Sequence, residues 1–384
     1  MDRESLRTVG SRPARQLRVL VAMSGGVDSA VAAHLLRRAG HEVAGATMKL
    51  FCYGKEDGPP RPCCDMEAVR EARRSAAILG IPHTVVDMEE AFRSQVVEDF
   101  VSEYARGRTP NPCVRCNTHV KFGPLLEKAQ RMGFDAIATG HYVRCEPVDD
   151  GASEQASFAL RRARDRAKDQ SYVLWELPRE RLSRCLFPLG GARKAAVRRL
   201  ARRLGLPAWD RPESLDICFV PSGEHAAFLR ERLPAEHPML RPGTIRTVEG
   251  RPLGQHDGLI GYTLGQRRGV GVPGAERLYV ARIEPSSATL YLGRKQEVRS
   301  AGLRASGRNL LAPASLLEGP GVTAQIRYRH PGSACMVRLL EADRCEVRFV
   351  TPEEAVTPGQ SVVFFLGDRM LGGARIDETI PFEG

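Results

Sequence analysis

No apolar run in this chain is long enough to cross a membrane. The longest, such as Leu17 to Met23, are strand-sized, whereas a spanning helix needs roughly 20 apolar residues in a row. The opening MDRESLRTVGSRPARQ has no apolar core, so it does not read as a secretory signal. Its arginines and serines have some transit-peptide character, which Asp2 and Glu4 argue against. Residues 1–16 are expected to be a disordered leader, and the chain a cytoplasmic monomer. There is no internal repeat and no low-complexity tract. Acidic residues are in deficit: 46 Asp and Glu face 57 Lys and Arg, for a formal charge of +11. A basic surface suits a polyanionic partner such as nucleic acid, through phosphate contacts and counterion release. Charge of this size also occurs in proteins that bind no nucleic acid. The ten cysteines, without a secretory signal, are expected to be reduced and catalytic, metal-binding or structural rather than a disulfide framework.

What is present is ordinary for a globular protein: 42% hydrophobic and 27% charged residues over 384 positions, too long for one compact core. The first half alternates strands and helices. LRVLVAM (17–23) reads as a buried strand, and Val27-Asp28-Ser29 opens a helix that Gly40 ends. Strands are expected at 42–49, 83–87 and 135–139. Helices are expected from Asp65 through Ile78, over 89–105 and over 121–132, with basic helical stretches near 179–186 and 193–204. Residues 146–157 read as a loop or hairpin tip. This is the pattern of a parallel sheet covered on both faces. After about residue 220 glycine and proline become frequent. From 275 short alternating runs follow at 277–283, 289–292, 322–328, 334–340, 345–350 and 361–366, the signature of a small antiparallel barrel.

Two constellations carry chemistry. Ser24-Gly25-Gly26-Val27-Asp28-Ser29 lies between a strand and a helix. Glycines there let the backbone approach a ligand and take positive φ, and the helix N-terminus offers N–H groups and a positive dipole end to an anion. Ser24 and Ser29 add hydroxyls. The Lys-Ser/Thr of the kinase and GTPase P-loop is absent. A plain tight βα turn is the alternative. The second is Asn111-Pro112-Cys113-Val114-Arg115-Cys116-Asn117. Pro110 and Pro112 are expected to hold it extended, with Arg108, Arg115 and Lys121 available to lower a thiol pKa. Such a pair is redox-active, a metal half-site or buried structure. No second pair of this spacing completes a zinc site. Cys218 stands alone in an apolar context, which by itself favours a small core residue.

SGGVDS after an apolar strand resembles the PP-loop ATP pyrophosphatases, which split ATP into AMP and pyrophosphate. The resemblance implies that Ala22, Met23, Ser24, Gly25, Gly26, Val27, Asp28 and Ser29 hold ATP, that Asp28 helps place Mg²⁺, and that Met48 and Gly140 touch the nucleotide. With TPNPxxxCN-x-x-x-KF, ATGHY, KDQSYVL, DICF and GYTLGQRRG in order, the chain past residue 17 resembles the tRNA-specific 2-thiouridylases of the MnmA type. That implies a Rossmann-like PP-loop catalytic domain (17–220), a central tRNA-contacting domain (221–284) and a C-terminal β-barrel (285–384).

It also implies 2-thiolation of the wobble uridine of the tRNAs for Lys, Glu and Gln. Cys218 would carry sulfur as a persulfide. Cys116 would attack that persulfide, ending in a Cys116–Cys218 disulfide, or act as the nucleophile that helps expel AMP; the disulfide needs the two Cα atoms within about 7 Å. Asn111, Pro112, Cys113, His141, Lys168, Asp169, Gln170, Arg327, Tyr328 and Gln360 would face the tRNA. The sulfur donor would be a cysteine desulfurase or a sulfur-relay protein. The chain departs from a common family pattern at Cys113, where many members carry aspartate. Cys113, Cys116 and Cys218 could instead hold an iron–sulfur cluster with one iron open. Arg193, Lys194, Arg198, Arg199, Arg202 and Arg203 form a basic helix that suits RNA or plain solvent. The competing readings are a PP-loop synthetase adenylating a small metabolite, a non-catalytic RNA-binding protein, and a sulfur or cluster carrier.

Overall fold

A computed structural model describes residues 16–50, 65–149, 157–210, 217–220, 225–272 and 277–382. The expected leader up to residue 15, Asp216 of the DICF motif and the tip of the 146–157 loop from Asp150 lie outside these. The chain divides into two compact units, one built from residues 1–96, 113–214 and 368–370, the other from the remainder.

The first unit is built on a five-stranded parallel sheet. Its strands are β1 (Arg18–Ala22), β2 (Glu42–Lys49), β3 (His83–Asp87), β4 (Ala136–Ala138) and β7 (Cys185–Leu186), in the order β3-β2-β1-β4-β7. All four pairings are parallel. A strand buried on both faces reads as a continuous apolar run, and Val19, Leu20 and Val21 are each at most 1% exposed. Helix α1 (Val27–Arg38) sheds only its polar stripe to solvent; its buried residues include Ala30, Val31, Leu35 and Leu36. It packs beside α2 (Asp65–Leu79) and α4 (Lys194–Arg203) in one apolar cluster with Ala72, Ala76, Val197, Leu200 and Ala201. The order reverses at β1: β2 lies on one side and β4 on the other. The crevice beyond the carboxyl ends of such strands is where open α/β sheets bind ligands. Between β4 and β7 run β5 (Val143–Val148) and β6 (Ser157–Arg162), an antiparallel hairpin.

One expectation fails here. Residues 112–131 are a single helical run, α3, rather than an extended loop followed by a helix at 121. Pro112 begins it, where a missing N–H costs nothing and φ is already helical. The run passes through a wide π stretch, Asn117–Leu125, that contains Pro124. Proline cannot donate to the preceding turn, so the helix widens rather than breaks. Gly123 makes room for the Arg181 guanidinium, which donates to the Phe122 carbonyl at 3.0 Å. The basic stretch near 179–186 is a short 3₁₀ turn, Arg179–Arg184, leading into β7.

In the second unit, β8 (Gly243–Thr247), β9 (Pro252–His256), β10 (Tyr279–Glu284) and β11 (Thr289–Gly293) form a four-stranded sheet. Six strands then close a barrel in the order β12-β15-β14-β13-β16-β17, with β17 returning to β12. They are β12 (Arg299–Leu310), β13 (Val322–Gln325), β14 (Ser333–Leu339), β15 (Cys345–Glu354), β16 (Ser361–Leu366) and β17 (Arg369–Pro381). Closure removes exposed edges. The two closing strands, rich in Gly, Ser and Arg, gave no alternating signal. Glycine is what they need: a Cβ at Gly372 (φ 143°) would lie 2.2 Å from the Asn309 carbonyl oxygen. The helix Glu98–Ala105 packs Phe100 edge-on against Phe219 at 5.2 Å.

Candidate functional site

The glycine loop occupies the reversal point. Met23 extends β1 by one bond, its N–H donating to the Ala46 carbonyl at 2.8 Å. Gly25 has φ 76°, and a Cβ there would come 2.6 Å from the Ala68 carbonyl oxygen, so both conformation and the approach of α2 demand glycine. Gly26 precedes α1 without any side-chain cap, which leaves the first-turn N–H groups of Val27 and its neighbours to the loop side. Ser24 is exposed. Ser29 is buried and serves as a brace: its hydroxyl accepts from the Ser24 N–H at 3.3 Å and donates to the Gly26 carbonyl at 3.1 Å. Its hydroxyl proton is thus committed inside the loop. Ala22 is buried at the end of β1, and Met48, half-buried, lies near the end of β2.

Gly140 follows β4 and presses on the start of α1. A Cβ there would lie 2.8 Å from the Asp28 carbonyl carbon and the Ser29 nitrogen. This contact aligns the 139–142 segment with the loop. Tyr142 donates its hydroxyl to Asp28 Oδ1 at 2.8 Å, and Lys194 Nζ reaches Asp28 Oδ2 at 2.6 Å. Lys194 is the first residue of α4, whose N-terminus is capped from another segment: Asp165 Oδ2 accepts the Lys194 N–H at 2.9 Å. Sequence reasoning placed Lys194 among the arginines of a basic helix. No spacing distinguishes it, because its partner is 166 residues away.

The cysteine pair sits in the first turns of α3. Cys116 is buried and Cys113 exposed. Burial pushes the Cys116 thiol up, and Lys121 pulls it down. Desolvation also raises Cys113, again with Lys121 opposing and Cys116 adding to the rise. Cys113 keeps exposed surface, so the desolvation acting on it is that of a crowded recess rather than a closed core. The expected depression of the thiols is therefore not the net effect. Arg115 is occupied by Glu176 at 3.1 Å, and Arg108, in the other unit, by Glu103 and Asp377. Lys121 remains the cation of this recess. It donates to Asn117 Oδ1 at 2.9 Å, and buried Asn117 is anchored by its own amide to the Val173 carbonyl at 2.9 Å. His141 is held well below its ordinary pKa by burial first and Lys121 second, so it is neutral. Its Nδ1 is 2.7 Å from Thr139 Oγ1.

The other named residues fall in different places. Asp169 accepts from Arg162, the Ala163 N–H, and the Ser171 N–H and hydroxyl. Gln170 Oε1 accepts the Tyr142 N–H at 3.0 Å. These two side chains bind their own unit together, while Lys168 is half-exposed. In the second unit Gln360 donates to the Thr109 and Pro110 carbonyls at 2.9 and 3.2 Å. It thereby holds the segment that leads to Asn111 and Pro112. Arg327 and Tyr328 are exposed in a turn after β13 rather than in a strand. Cys218 is exposed in the short stretch 217–220. Among the described residues no three His, Cys, Asp or Glu side chains come together as metal ligands. Cys113 and Cys116 belong to the first unit and Cys218 to the second. No helix among the described residues is long and apolar enough to cross a membrane.

Family profiles cover nearly all of the chain: a tRNA methyl transferase HUP domain over residues 17–222, a tRNA methyl transferase PRC-barrel domain over 226–294, and an aminomethyltransferase beta-barrel domain over 300–376. A tRNA-specific 2-thiouridylase MnmA 1 from Caldanaerobacter subterraneus subsp. tengcongensis is 43% identical, covering 94% of this chain and 98% of that protein. This chain belongs to the tRNA-specific 2-thiouridylase family. Relatives of the same name from Geobacter metallireducens and Geotalea uraniireducens are 45% and 44% identical, covering 94% and 95% of this chain and 97% and 96% of theirs. The family is an ATP-utilising, PP-loop one.

Proposed function

We propose that this chain replaces the C2 oxygen of a tRNA wobble uridine with sulfur, using ATP to activate that oxygen. The observation that carries the reading is a two-thiol helical turn gathered with a neutral histidine around one lysine, in the same unit as the glycine loop. ATP activation and sulfur chemistry then have separate, fixed stations.

Carbonyl oxygen is a poor leaving group. Attack of uridine O2 on the α-phosphorus breaks the α–β phosphoanhydride bond, and pyrophosphate departs with the electron pair. The base now carries AMP on O2. The loop N–H groups and the α1 N-terminus hold the phosphates, and Asp28 is the loop residue that would hold Mg²⁺. The bound ion neutralises phosphate charge.

Sulfur arrives from the donor as a persulfide on exposed Cys218. Cys116 attacks the inner Cys218 sulfur, forming the Cys116–Cys218 disulfide and releasing hydrosulfide. Hydrosulfide adds at C2, the C2–O bond breaks, and AMP leaves. A cellular thiol then reduces the disulfide. Burial favours the neutral form of Cys116, so its thiolate is scarce until the reaction begins. Lys121 is the group that stabilises it, and neutral His141 adds no competing positive charge. Asn111 to Cys113, His141, Lys168, Arg327 and Tyr328 are proposed to face the tRNA. Asp169, Gln170 and Gln360 act by positioning these segments.

The test is mass spectrometry of tRNA nucleosides from cells lacking this protein, or carrying it as wild type or Cys116→Ser. The reading requires 2-thiouridine derivatives to vanish without the protein and return only with wild type. Unchanged 2-thiouridine would sink it. Loss of a methyl mass instead of sulfur-for-oxygen would point to the methyl transfer named in two of the profile descriptions.

A further inference from the structure

The nucleotide loop lacks the lysine with which P-loops of the kinase type grip phosphate. The fold brings one from elsewhere. Lys194 is 8% exposed, yet its ammonium lies at the mouth of the loop, 2.6 Å from Asp28 Oδ2. It also lies 5.6 Å from the centre of the Tyr142 ring, whose hydroxyl holds the other carboxylate oxygen at 2.8 Å. Asp165 fixes the lysine's backbone, and Gly140 fixes the height of the 139–142 segment against α1. Lys194 is thus preorganised through three segments distant in sequence.

Stability is a weak reason for such a pair. Withdrawing charges from water is costly, even where one partner keeps some exposure, and an apolar pair of similar volume is often as stable. The pair is also chemically mismatched to a bare anion site: Asp28 repels phosphate, and Lys194 cancels it, leaving the loop near neutral. The arrangement makes sense as an exchange.

We infer that Lys194 is the phosphate-binding lysine of this nucleotide site, stored on Asp28 and passed to the triphosphate when a divalent cation takes the carboxylate. The inference rests on reading the glycine loop as the ATP site. The lysine's flexible four-carbon stem permits the turn from carboxylate to phosphate. Asp28 and Lys194 then act in sequence: the same carboxylate that holds the ammonium ready also gates its release. Adenosine, lacking phosphates, gains nothing from Lys194.

The experiment is equilibrium binding of ATP, pyrophosphate and adenosine to the full chain, with and without Mg²⁺. Wild type is compared with Lys194→Met, Lys194→Arg and Asp28→Asn. Lys194→Met should weaken ATP and pyrophosphate about tenfold or more, the worth of one charge-assisted hydrogen bond, and leave adenosine unchanged. Lys194→Arg should retain part of the affinity. Without Mg²⁺, Asp28→Asn should tighten pyrophosphate, because the ammonium is no longer held. Equal losses for ATP and adenosine would reduce Lys194 to a brace and overturn the inference. So would weaker pyrophosphate binding by Asp28→Asn in the absence of Mg²⁺. If Lys194→Met does not fold, the other two variants decide. Binding is read without tRNA, so a failure here is separable from a failure of thiolation in the nucleoside assay.

Discussion

Two pairs of cysteines in this molecule invite comparison. Cys113 and Cys116 lie on one turn of α3, and Cys335 and Cys345 on the paired barrel strands β14 and β15. Burial raises all four thiols. The barrel pair rises to about 12 and about 11, with Cys345 adding to the rise at Cys335. The helical pair has Lys121 opposing the rise and one member at the surface. Arg308 likewise opposes the rise at Cys345, so access separates the pairs: Cys113 is exposed and both barrel thiols are buried.

The largest expected break between the pairs is in activity. Cys116→Ser should lower tRNA thiolation by about a thousandfold or more, as loss of a nucleophile does. Cys335→Ala should leave the activity per folded molecule intact. Thiolation assayed on purified tRNA checks both. Equal losses would dissolve the distinction.

Next in size is the loop itself. Gly25→Ala forces a side chain into φ 76° and against the Ala68 carbonyl. The expected cost is about 2–4 kcal/mol, as strain or as lost ATP affinity. Gly40→Ala at φ 90°, with open space around it, should show the conformational part alone. Denaturant unfolding with and without ATP separates the two.

The barrel thiols make a smaller, pH-dependent prediction. Their folded pKa values lie above the ordinary 9.0. The folded barrel keeps the protons when the unfolded chain has lost them. Stability is thus full below pH 9 and declines as pH rises toward about 11 and 12, by at most about 1.4 kcal/mol per thiol per pH unit. Cys335→Val with Cys345→Ala should flatten that decline in the urea midpoint.

The smallest effect sharpens the role of Lys121. Lys121→Met should raise the Cys113 pKa and slow its alkylation at pH 7.5 a few-fold, about the worth of one partly screened charge. The pH profile should move upward. An unmoved profile would remove Lys121 from the account of the helical pair.

Much of this was legible in the linear chain because it depends on local rules. The buried strand at 18–22, the glycine turn and the helix from Val27 follow from apolar runs and backbone freedom over a few residues. The cysteine turn is legible as a motif, but its helical backbone is not. Pro112 suits an extended chain, but a proline at the first helical position starts a helix equally well, and only the packing of Val114, Val120 and Phe122 chooses between the two. The closing barrel strands stayed hidden because glycine, which permits their close approach, carries no alternating signal.

The sequence by itself determined the family, the parallel sheet with its anion-ready loop, and the identity of the thiols, since each is written in contiguous residues. Tertiary structure alone decided which charges meet: that Lys121 rather than Arg115 faces the thiols, that Asp169, Gln170 and Gln360 are committed to their own backbone, and that Lys194 reaches Asp28. Electrostatic partnership depends on distance and burial in space, and neither can be read from separation along the chain.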